Sequence, residues 1–407
     1  MASGPLSGIR ILDLTHVWAG PLAVRMLSDL GAEVVKIEGP LSRGPRVSTD
    51  APIGGWIGGD HDDEPWNKNA AYVKLARNRR SVCIDLKHEQ GRKTFLDMVK
   101  HADIVVENFS ARAMPALKLD YAVLKTANPE IIYLTMPGFG TTGQYRDRVA
   151  FGPIVEAMSG LTNVLGYSSQ QPRNTAMALM DPISATAATA AITHALRQRQ
   201  QSGEGARIEM SLHEAGISFC GPFLIEHQLG GSIKPIGNRH PGMAPSGTYR
   251  TAGLDDWVAI ACVDDSDWMN LCSIVESLDP SWSFSMRQQH HDEIDSAIAH
   301  FCACDTKHNI AIRLQAAGIP AGPVNTTPDM LADPQVKHRG FFVPLEAGGT
   351  PVPGTPVKLN GTSSDSWTPC PNLGADNDAV LRDWLGKSTE EINELADQGI
   401  IHNGPPA

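Results

Sequence analysis

Strand-like and helix-like segments alternate along the first half of the chain, and this alternation limits the possible folds more than any other feature. Residues 9–14 form an apolar run, residues 20–30 form a helical segment that ends at Gly31, and residues 33–38 form the next apolar run. Glycine is a common cap at the end of a helix, and strand, helix and strand in this order form a right-handed βαβ unit. The sequence therefore predicts a parallel sheet covered by helices.

The alternation continues beyond these residues. The sequence predicts strand 81–86, helix 89–100, strand 103–107, helix 121–128, strand 131–136 and helix 153–160. This pattern is typical of a doubly wound, mostly parallel α/β sheet. The first turn, residues 15–20, lacks the G-x-G-x-x-G motif, which argues against NAD binding. Residues 39–70 are rich in Gly, Pro and Asp and predict a long irregular loop, a feature that is usually functional in a compact domain.

The character of the sequence changes near Gly221. We expect a large Rossmann-like domain over residues 1–220, a small α+β domain over 221–325, and a return segment over 326–407 whose helices pack on the large domain. In the small domain, residues 248–250 and 257–262 predict an antiparallel pair of strands. Predicted helices follow at 266–275, 293–302, 306–317, 376–385 and 389–398, and short strands are predicted near 341–345 and 357–359.

Asp181 is the side chain with the greatest chemical interest. It follows an apolar run, residues 175–180, that predicts a buried strand, and it precedes a helix predicted over residues 183–196. Pro182 comes next, and Asp followed by Pro is a typical start of a helix. A carboxylate there would lie at the strand ends, where open α/β sheets bind ligands, and the helix dipole would favour its ionised form. Asp181 is therefore either a helix cap or a nucleophile, and its position alone leaves both open.

Charge and cysteine content exclude several classes of function. The formal net charge of −11 argues against nucleic acid or an anionic membrane as a general partner. No apolar run approaches the ~20 residues that span a bilayer, and residues 1–6 do not resemble a secretory signal. The seven cysteines show no spacing pattern, which predicts reduced thiols and a cytoplasmic protein. Cys302 and Cys304 lack a second ligand pair at zinc spacing, so we expect no metal site.

Further motifs occur at defined places along the chain. They lie at residues 11–21, 30–38, 77–81, 102–109, 128–129, 138–140, 203–205 and 373–386. In combination they resemble the family III CoA-transferases, which include formyl-CoA and carnitine CoA-transferases and the related α-methylacyl-CoA racemases. The resemblance spans nearly the whole chain and implies the family fold, an interlocked homodimer and transfer of CoA between carboxylic acids. It also implies acyl-CoA and small carboxylic acids as substrates, with no permanently bound cofactor.

The resemblance implies a covalent mechanism at Asp181, because the family nucleophile occupies the matching position. The carboxylate attacks an acyl-CoA thioester to give a mixed anhydride, and the CoA thiolate then forms an aspartyl-CoA thioester. Backbone N–H groups near Gly138 and Phe139, and near Trp18 and Ala19, are the expected donors to the oxyanions. Many relatives carry Gln at the position of Trp18, so this chain lacks the amide donor that those relatives have there. We expect Trp18 to pack on the acyl chain or the pantetheine instead.

The phosphates of CoA require a basic site, and the cluster at residues 74–80 is the best candidate in the sequence. A solvated charged surface is the alternative interpretation of such a cluster. By resemblance, the CoA-binding residues are His16, Val17, Trp18, Ala19, Lys74, Leu75, Arg77, Asn78, Arg79, Asn108 and Phe109.

Two alternatives to a CoA-transferase stay open. Racemases move an α-proton with a His, but this chain has Phe151 at the matching position, which argues against proton exchange. A non-catalytic acyl-CoA-binding protein is the other alternative, and the presence of Asp181 argues against it. We also expect the Gly- and Pro-rich loop 237–247 to act as a lid over the acyl site. Within it, Arg239 and His240 either meet a second substrate carboxylate or are simply solvated.

Overall fold

The computed structural model of the chain describes residues 4–40, 55–59, 64–346 and 349–404. The predicted long loop at 39–70 lies partly outside the described residues. The chain divides into two compact units. Unit 1 consists of Met1–Thr162, Asn174–Leu229 and Gly340–Ala407, and unit 2 consists of Asn163–Arg173 and Gly230–Arg339.

A parallel sheet organises unit 1, and six of its strands lie in the described residues. These are β1 (Arg10–Asp13), β2 (Glu33–Glu38), β3 (Arg79–Cys83), β4 (Ile104–Glu107), β5 (Ile132–Thr135) and β6 (Ala206–Glu209). Their order is β3-β2-β1-β4-β5-β6, and every neighbouring pair is parallel. This is the strand order of a doubly wound sheet. The predicted α/β class and parallel sheet are therefore confirmed.

The strands β1 to β5 are predicted from the sequence because each contains or overlaps consecutive apolar residues, such as 104–106 in β4 and 82–84 at the end of β3. Strand β6 is not predicted. It lies at the edge of the sheet, and its residues alternate between half-buried and exposed. With two charged residues among four, it carries too little apolar character to indicate a strand.

The core of unit 1 joins distant parts of the chain. Val35 of β2, Val105 of β4 and Phe95 belong to the same buried cluster as Leu381 and Trp384 near the C-terminus. The described helices of unit 1 and of the segment that joins it to unit 2 are Ala19–Asp29, Pro65–Lys68, Ala70–Val73, Glu89–Val99, Ala113–Ala116, Tyr121–Ala127, Gly152–Met158, Leu161–Val164, Met180–Ser202, Leu212–Phe219, Gly221–Gln228, Asn377–Leu385 and Thr389–Asp397.

Unit 2 is built on an antiparallel sheet of its own. The strands are β7 (Ser246–Arg250), β8 (Trp257–Ala261) and β9 (Ala321–Pro323), in the order β7-β8-β9. The predicted antiparallel pair is therefore confirmed. Buried side chains of β8 and of the helices form a separate core, which includes Ile260, Trp268 and Ile298. The described helices are Asp265–Ile274, Phe284–Gln289, His291–Cys302, Lys307–Ala316, Thr327–Ala332 and Pro334–His338.

Two predicted strands are wrong. The run at 175–180 forms no strand, because the helix Met180–Ser202 begins inside it and the residues before Met180 are turns and irregular backbone. Short apolar runs do not distinguish a strand from a buried helix start. Residues 357–359 also form no strand. The short pair near them is β10 (Phe342–Val343) with β11 (Val352–Pro353). In the described residues, no helix is both long and apolar enough to cross a membrane.

Candidate active site

Asp181 lies in the first turn of the helix Met180–Ser202, here called the Asp181 helix. Leu179 is the capping residue, so the prediction that Asp181 caps this helix is wrong. The residue is 8% exposed, and its carboxylate accepts a hydrogen bond from the backbone N–H of Ala19. Burial raises the pKa of Asp181 to about 6, and the bond from Ala19 acts in the opposite direction. No basic side chain of the described residues contributes to this shift.

The helix Gly152–Met158, here called the Gly152 helix, packs directly against this carboxylate. A Cβ atom on Gly152 would lie 2.3 Å from Oδ2 of Asp181 and 2.7 Å from Cβ of Ala178. Only glycine allows such a close approach of backbone to side chain. Sequence reasoning missed Gly152, since a Gly-Pro pair indicates the start of a helix but not its neighbour in space.

Glu156 lies on the same face of the Gly152 helix and is completely buried. Its carboxylate accepts hydrogen bonds from the Thr175 backbone N–H at 2.5 Å, the Thr175 hydroxyl at 2.6 Å and the Leu179 N–H at 3.3 Å. Sequence reasoning missed Glu156 as well. The only indication in the sequence is a charged residue at a position where the helical period predicts an apolar one.

The turn after β1 is held by Asn108. The His16 N–H donates to Oδ1 of Asn108 at 2.7 Å, and Nδ2 of Asn108 donates to the His16 carbonyl at 2.7 Å. Val17 has φ +68°, which costs strain for a β-branched residue, and it is 45% exposed. The His16 ring meets the edge of Phe109 with centroids 5.2 Å apart. Burial lowers the pKa of His16 to about 4, with a further contribution from Lys36, so the imidazole is neutral at pH 7.

A buried network of charges lies beneath this turn. Asp13 is fully buried and pairs with Arg79 at 2.6 Å and Lys36 at 3.5 Å. The Thr15 N–H and hydroxyl donate to the same carboxylate at 2.8 and 2.6 Å. Although burial favours the neutral acid, the two cations and the Thr15 bonds keep the pKa of Asp13 below its ordinary value. Lys36 also donates to the Thr15 carbonyl, which ties the network to the turn.

The basic cluster at 74–80 divides into internal and accessible groups. Arg77 is fully buried and donates to Asp29 at 2.8 and 2.6 Å and to the Pro353 carbonyl at 2.6 Å. Arg79 belongs to the buried network, Leu75 is in the core, and Asn78 binds Asp29 at 2.8 Å.

Lys74 differs from the rest of the cluster because it lies beside Trp18. Its Nζ is 5.1 Å from the centroid of the Trp18 ring, and the residue is half-buried. Burial and the charge of Arg25 lower the pKa of Lys74.

Gly138 and Phe139 follow β5. A Cβ atom on Gly138 would lie 2.1 Å from Cβ of Ala150, so the segment 150–152 runs from Gly138 to the Asp181 carboxylate. The Gly138 carbonyl accepts from the His213 N–H at 3.0 Å, and Phe139 packs against the rings of His213 and Tyr145 at 5.5 and 6.0 Å. The Asp181 carboxylate thus contacts the Ala19 backbone on one side. On the other side it contacts Gly152, and the segment 150–152 leads from there to Gly138.

Other predicted residues have local partners. In unit 2, Arg239 pairs with Asp292 and, at 3.0 Å, with Asp295, while Nδ1 of His240 accepts from the Gly242 N–H at 3.0 Å. In unit 1, Phe151 precedes the Gly152 helix and is 54% exposed.

Among the described residues, no group of three or more His, Cys, Asp or Glu side chains could hold a metal ion.

Comparison with known proteins gives a consistent result. The model for CoA-transferase family III matches residues 6–377. Succinate–glutarate CoA-transferase of Agrobacterium fabrum is 33% identical over 388 residues, which cover 93% of this chain and 95% of that protein. Succinyl-CoA–D-citramalate CoA-transferase of Chloroflexus aurantiacus is 30% identical over 407 residues, with 98% of each chain covered.

A solved structure also resembles this chain along most of its length. The crystal structure of a CAIB/BAIF family protein from Brucella suis superimposes with a TM-score of 0.82 and 29% identity, and it covers 94% of this chain and 99% of that chain. The extent of the family match and the identity to full-length relatives lead to one conclusion. The chain belongs to the family III CoA-transferases.

Proposed function

We propose that the enzyme moves CoA from an acyl-CoA donor to a carboxylic acid through a covalent intermediate on Asp181. The observation that carries this proposal is the environment of the carboxylate. It is buried, it accepts a single backbone N–H, and no described cation neutralises it. With a pKa of about 6 it is mostly ionised at neutral pH, and it has no ion pair to lose when it attacks.

The proposed reaction begins when a carboxylate oxygen of Asp181 attacks the thioester carbonyl carbon. The C–S bond breaks, CoA leaves as a thiolate, and a mixed anhydride remains. The thiolate attacks the aspartyl carbonyl of the anhydride, which releases the donor acid and leaves an aspartyl-CoA thioester. The acceptor carboxylate then attacks this thioester, and the released thiolate attacks the acceptor carbonyl of the new anhydride. Acceptor-CoA and free Asp181 result, with no net uptake of protons.

Each addition creates an oxyanion that needs hydrogen-bond donors. We assign the Ala19 N–H to the oxygen that develops charge on the aspartyl carbonyl, since it already donates to this carboxylate. The N–H groups of Gly138 and Phe139 are the proposed donors on the other side. Contacts from Gly138 through Ala150 to Gly152 support this assignment.

For CoA we propose a site in which only one residue of the basic cluster at 74–80, Lys74, contacts the ligand directly. Lys74, over the ring of Trp18, is the cation with access to a phosphate, while the turn of His16 and Val17 with Phe109 lines the ligand. Arg77, Arg79 and Asn78 would support this site from inside the protein, because their side chains bind the buried carboxylates of Asp29 and Asp13. Leu75 would support it as part of the core. Asn108 shapes the turn through its two bonds to His16.

The substrate class we propose is dicarboxylic acids and their CoA thioesters, because the relatives named above carry succinate, glutarate and citramalate in their names. Arg239 is a poor candidate for the distal carboxylate, since two aspartates of unit 2 already neutralise it. The lid expected at loop 237–247, which belongs to unit 2, stays a prediction.

We also propose an interlocked homodimer. The helix Gly221–Gln228 has no buried residue, and Phe223, Leu224 and Ile225 on it are exposed together with Leu229. A contiguous apolar surface of this kind favours a protein partner, and a second copy fits the family. A cytoplasmic location is proposed from the scattered cysteines, none of which forms a disulfide in the described part of the chain.

The test is a panel of CoA donors and acids, with isotope-labelled acceptor acid and mass spectrometry of the CoA esters. The proposal predicts labelled acceptor-CoA in amounts equal to the donor consumed. Hydrolysis of the donor without any labelled ester would contradict it. Solvent deuterium at the α-carbon of a recovered 2-methylacyl-CoA would instead favour the racemase alternative, which the exposed Phe151 argues against.

A further inference from the structure

We propose that Glu156 is a positioning residue for the nucleophile, and that its carboxylate sets the place from which Asp181 attacks. This inference rests on the proposed transferase chemistry at Asp181. It concerns a residue that contacts neither the acyl group nor CoA in that chemistry. It acts instead on the segment that leads into the Asp181 helix.

The Gly152 helix contacts this region at two successive turns of one face. Gly152 contacts Oδ2 of Asp181. Glu156, four residues later, accepts hydrogen bonds from Thr175 and Leu179. Residues i and i+4 lie on the same face of a helix, so both contacts come from one rigid surface. Because Leu179 caps the Asp181 helix and lies two residues before Asp181, the position of the cap fixes the position of the carboxylate.

The hydrogen bonds explain why this buried group is a carboxylate. The Thr175 and Leu179 N–H groups can only donate, and the Thr175 hydroxyl donates to Glu156 while it accepts weakly from Leu179 at 3.4 Å. An ionised carboxylate is purely an acceptor and can satisfy all these donors at once. A glutamine would place an NH₂ group against one of them.

Glu156 has no ion pair in the described part of the chain, so these neutral donors are what compensates its burial. A fully buried carboxyl group held only by local N–H and O–H groups is costly to retain, which argues that the geometry it imposes is required. Without it the cap and the first turn could shift, and Asp181 would move with them. Displacement of a reacting group by about 1 Å lowers a rate by on the order of 100-fold.

The experiment compares E156A, E156Q, T175V and T175S in the full-length enzyme, with succinyl-CoA as donor. The measured quantities are the single-turnover rate of adduct formation on Asp181, kcat, and KM for the donor. We expect adduct formation and kcat to fall on the order of 100-fold in E156A and by less in E156Q, with KM within about threefold of wild type. T175V, which loses only the hydroxyl, should fall several-fold, and T175S, which keeps both donors, should match wild type.

Asp120 supplies a matched control, because its carboxylate also accepts two backbone N–H groups at the start of a helix. D120A should lower the melting temperature slightly and leave kcat unchanged. If E156Q and T175V lose thermal stability but keep the wild-type rate of adduct formation, Glu156 is merely structural and the inference is wrong. If wild-type enzyme forms no adduct on Asp181, the proposed function itself fails, and the two failures are thus distinguished.

Discussion

Two buried aspartates of unit 1 have opposite environments. Asp13, beneath the turn after β1, is surrounded by Arg79, Lys36 and the Thr15 donors, and its pKa is lowered. Asp181, at the start of its helix, has one backbone donor and no described cation, and burial raises its pKa to about 6. The difference shows that burial raises the pKa of one carboxylate, while two neighbouring cations and the Thr15 donors reverse this effect at the other. We propose that Asp13 is structural and that Asp181 is the nucleophile.

The largest expected effect is the loss of transfer on removal of the Asp181 carboxylate. We expect D181A to lower kcat by on the order of 10³-fold or more, as for other covalent nucleophiles. The fold should be retained, because the residue does not cap its helix and its burial is a cost to the folded state. Steady-state transfer rates and a thermal melt measure both effects. If the transfer rate of D181A stayed within a few-fold of wild type, the proposed contrast between a nucleophilic Asp181 and a structural Asp13 would be wrong.

The second effect concerns Asp13 and should be a loss of stability. D13N leaves Arg79 and Lys36 buried without their carboxylate, and breaking a buried ion pair from one side costs about 3–5 kcal/mol. Denaturant unfolding followed by tryptophan fluorescence measures this loss. D181N, tested in parallel, should cost far less. Equal destabilisation by the two variants would show that the two aspartates are not different in kind.

The third effect is the pH dependence of adduct formation. The rate should fall about tenfold per pH unit below pH 6, since only ionised Asp181 attacks. His16, with its pKa lowered to about 4, stays mostly neutral down to about pH 5, so the rates are compared between about pH 5 and pH 7. Because the folded pKa of Asp181 is raised, its burial costs stability above pH 6, and the cost declines as the pH falls from 6 toward 4. The stability of D181N relative to wild type should therefore be greatest above pH 6, as parallel melts can check.

The smallest effect should come from Lys74. A K74Q variant should raise KM for acyl-CoA about fivefold, the effect of losing roughly 1 kcal/mol from a partly exposed charge, with kcat unchanged. Lys100, which is exposed and pairs with Asp97, provides the control K100Q. A rise in KM for acyl-CoA that is the same in both variants, or absent in K74Q, would remove Lys74 from the proposed CoA site.

The sequence predicts a parallel sheet because short apolar runs alternate with helical segments along the chain, whereas the order of the strands is seen only in the structure. The sequence does not predict the burial and the contacts of side chains whose partners lie far away along the chain. Arg77 is part of an apparently accessible basic cluster in the sequence, yet Asp29 and Pro353, far away in the chain, bury it. Gly152 and Glu156 acquire their roles only when their helix meets the Asp181 helix. Asp181 itself is identified by resemblance and not by its flanking residues, which predict a strand that does not form.

The central claim is that Asp181, and not another buried carboxylate, carries the covalent intermediate. The most direct measurement is to quench the enzyme with hydroxylamine during turnover of an acyl-CoA and to map the modified peptides by mass spectrometry. The account predicts a hydroxamate on Asp181 and none on Asp13. Modification only at another residue, or no modification while transfer proceeds at its full rate, would contradict it.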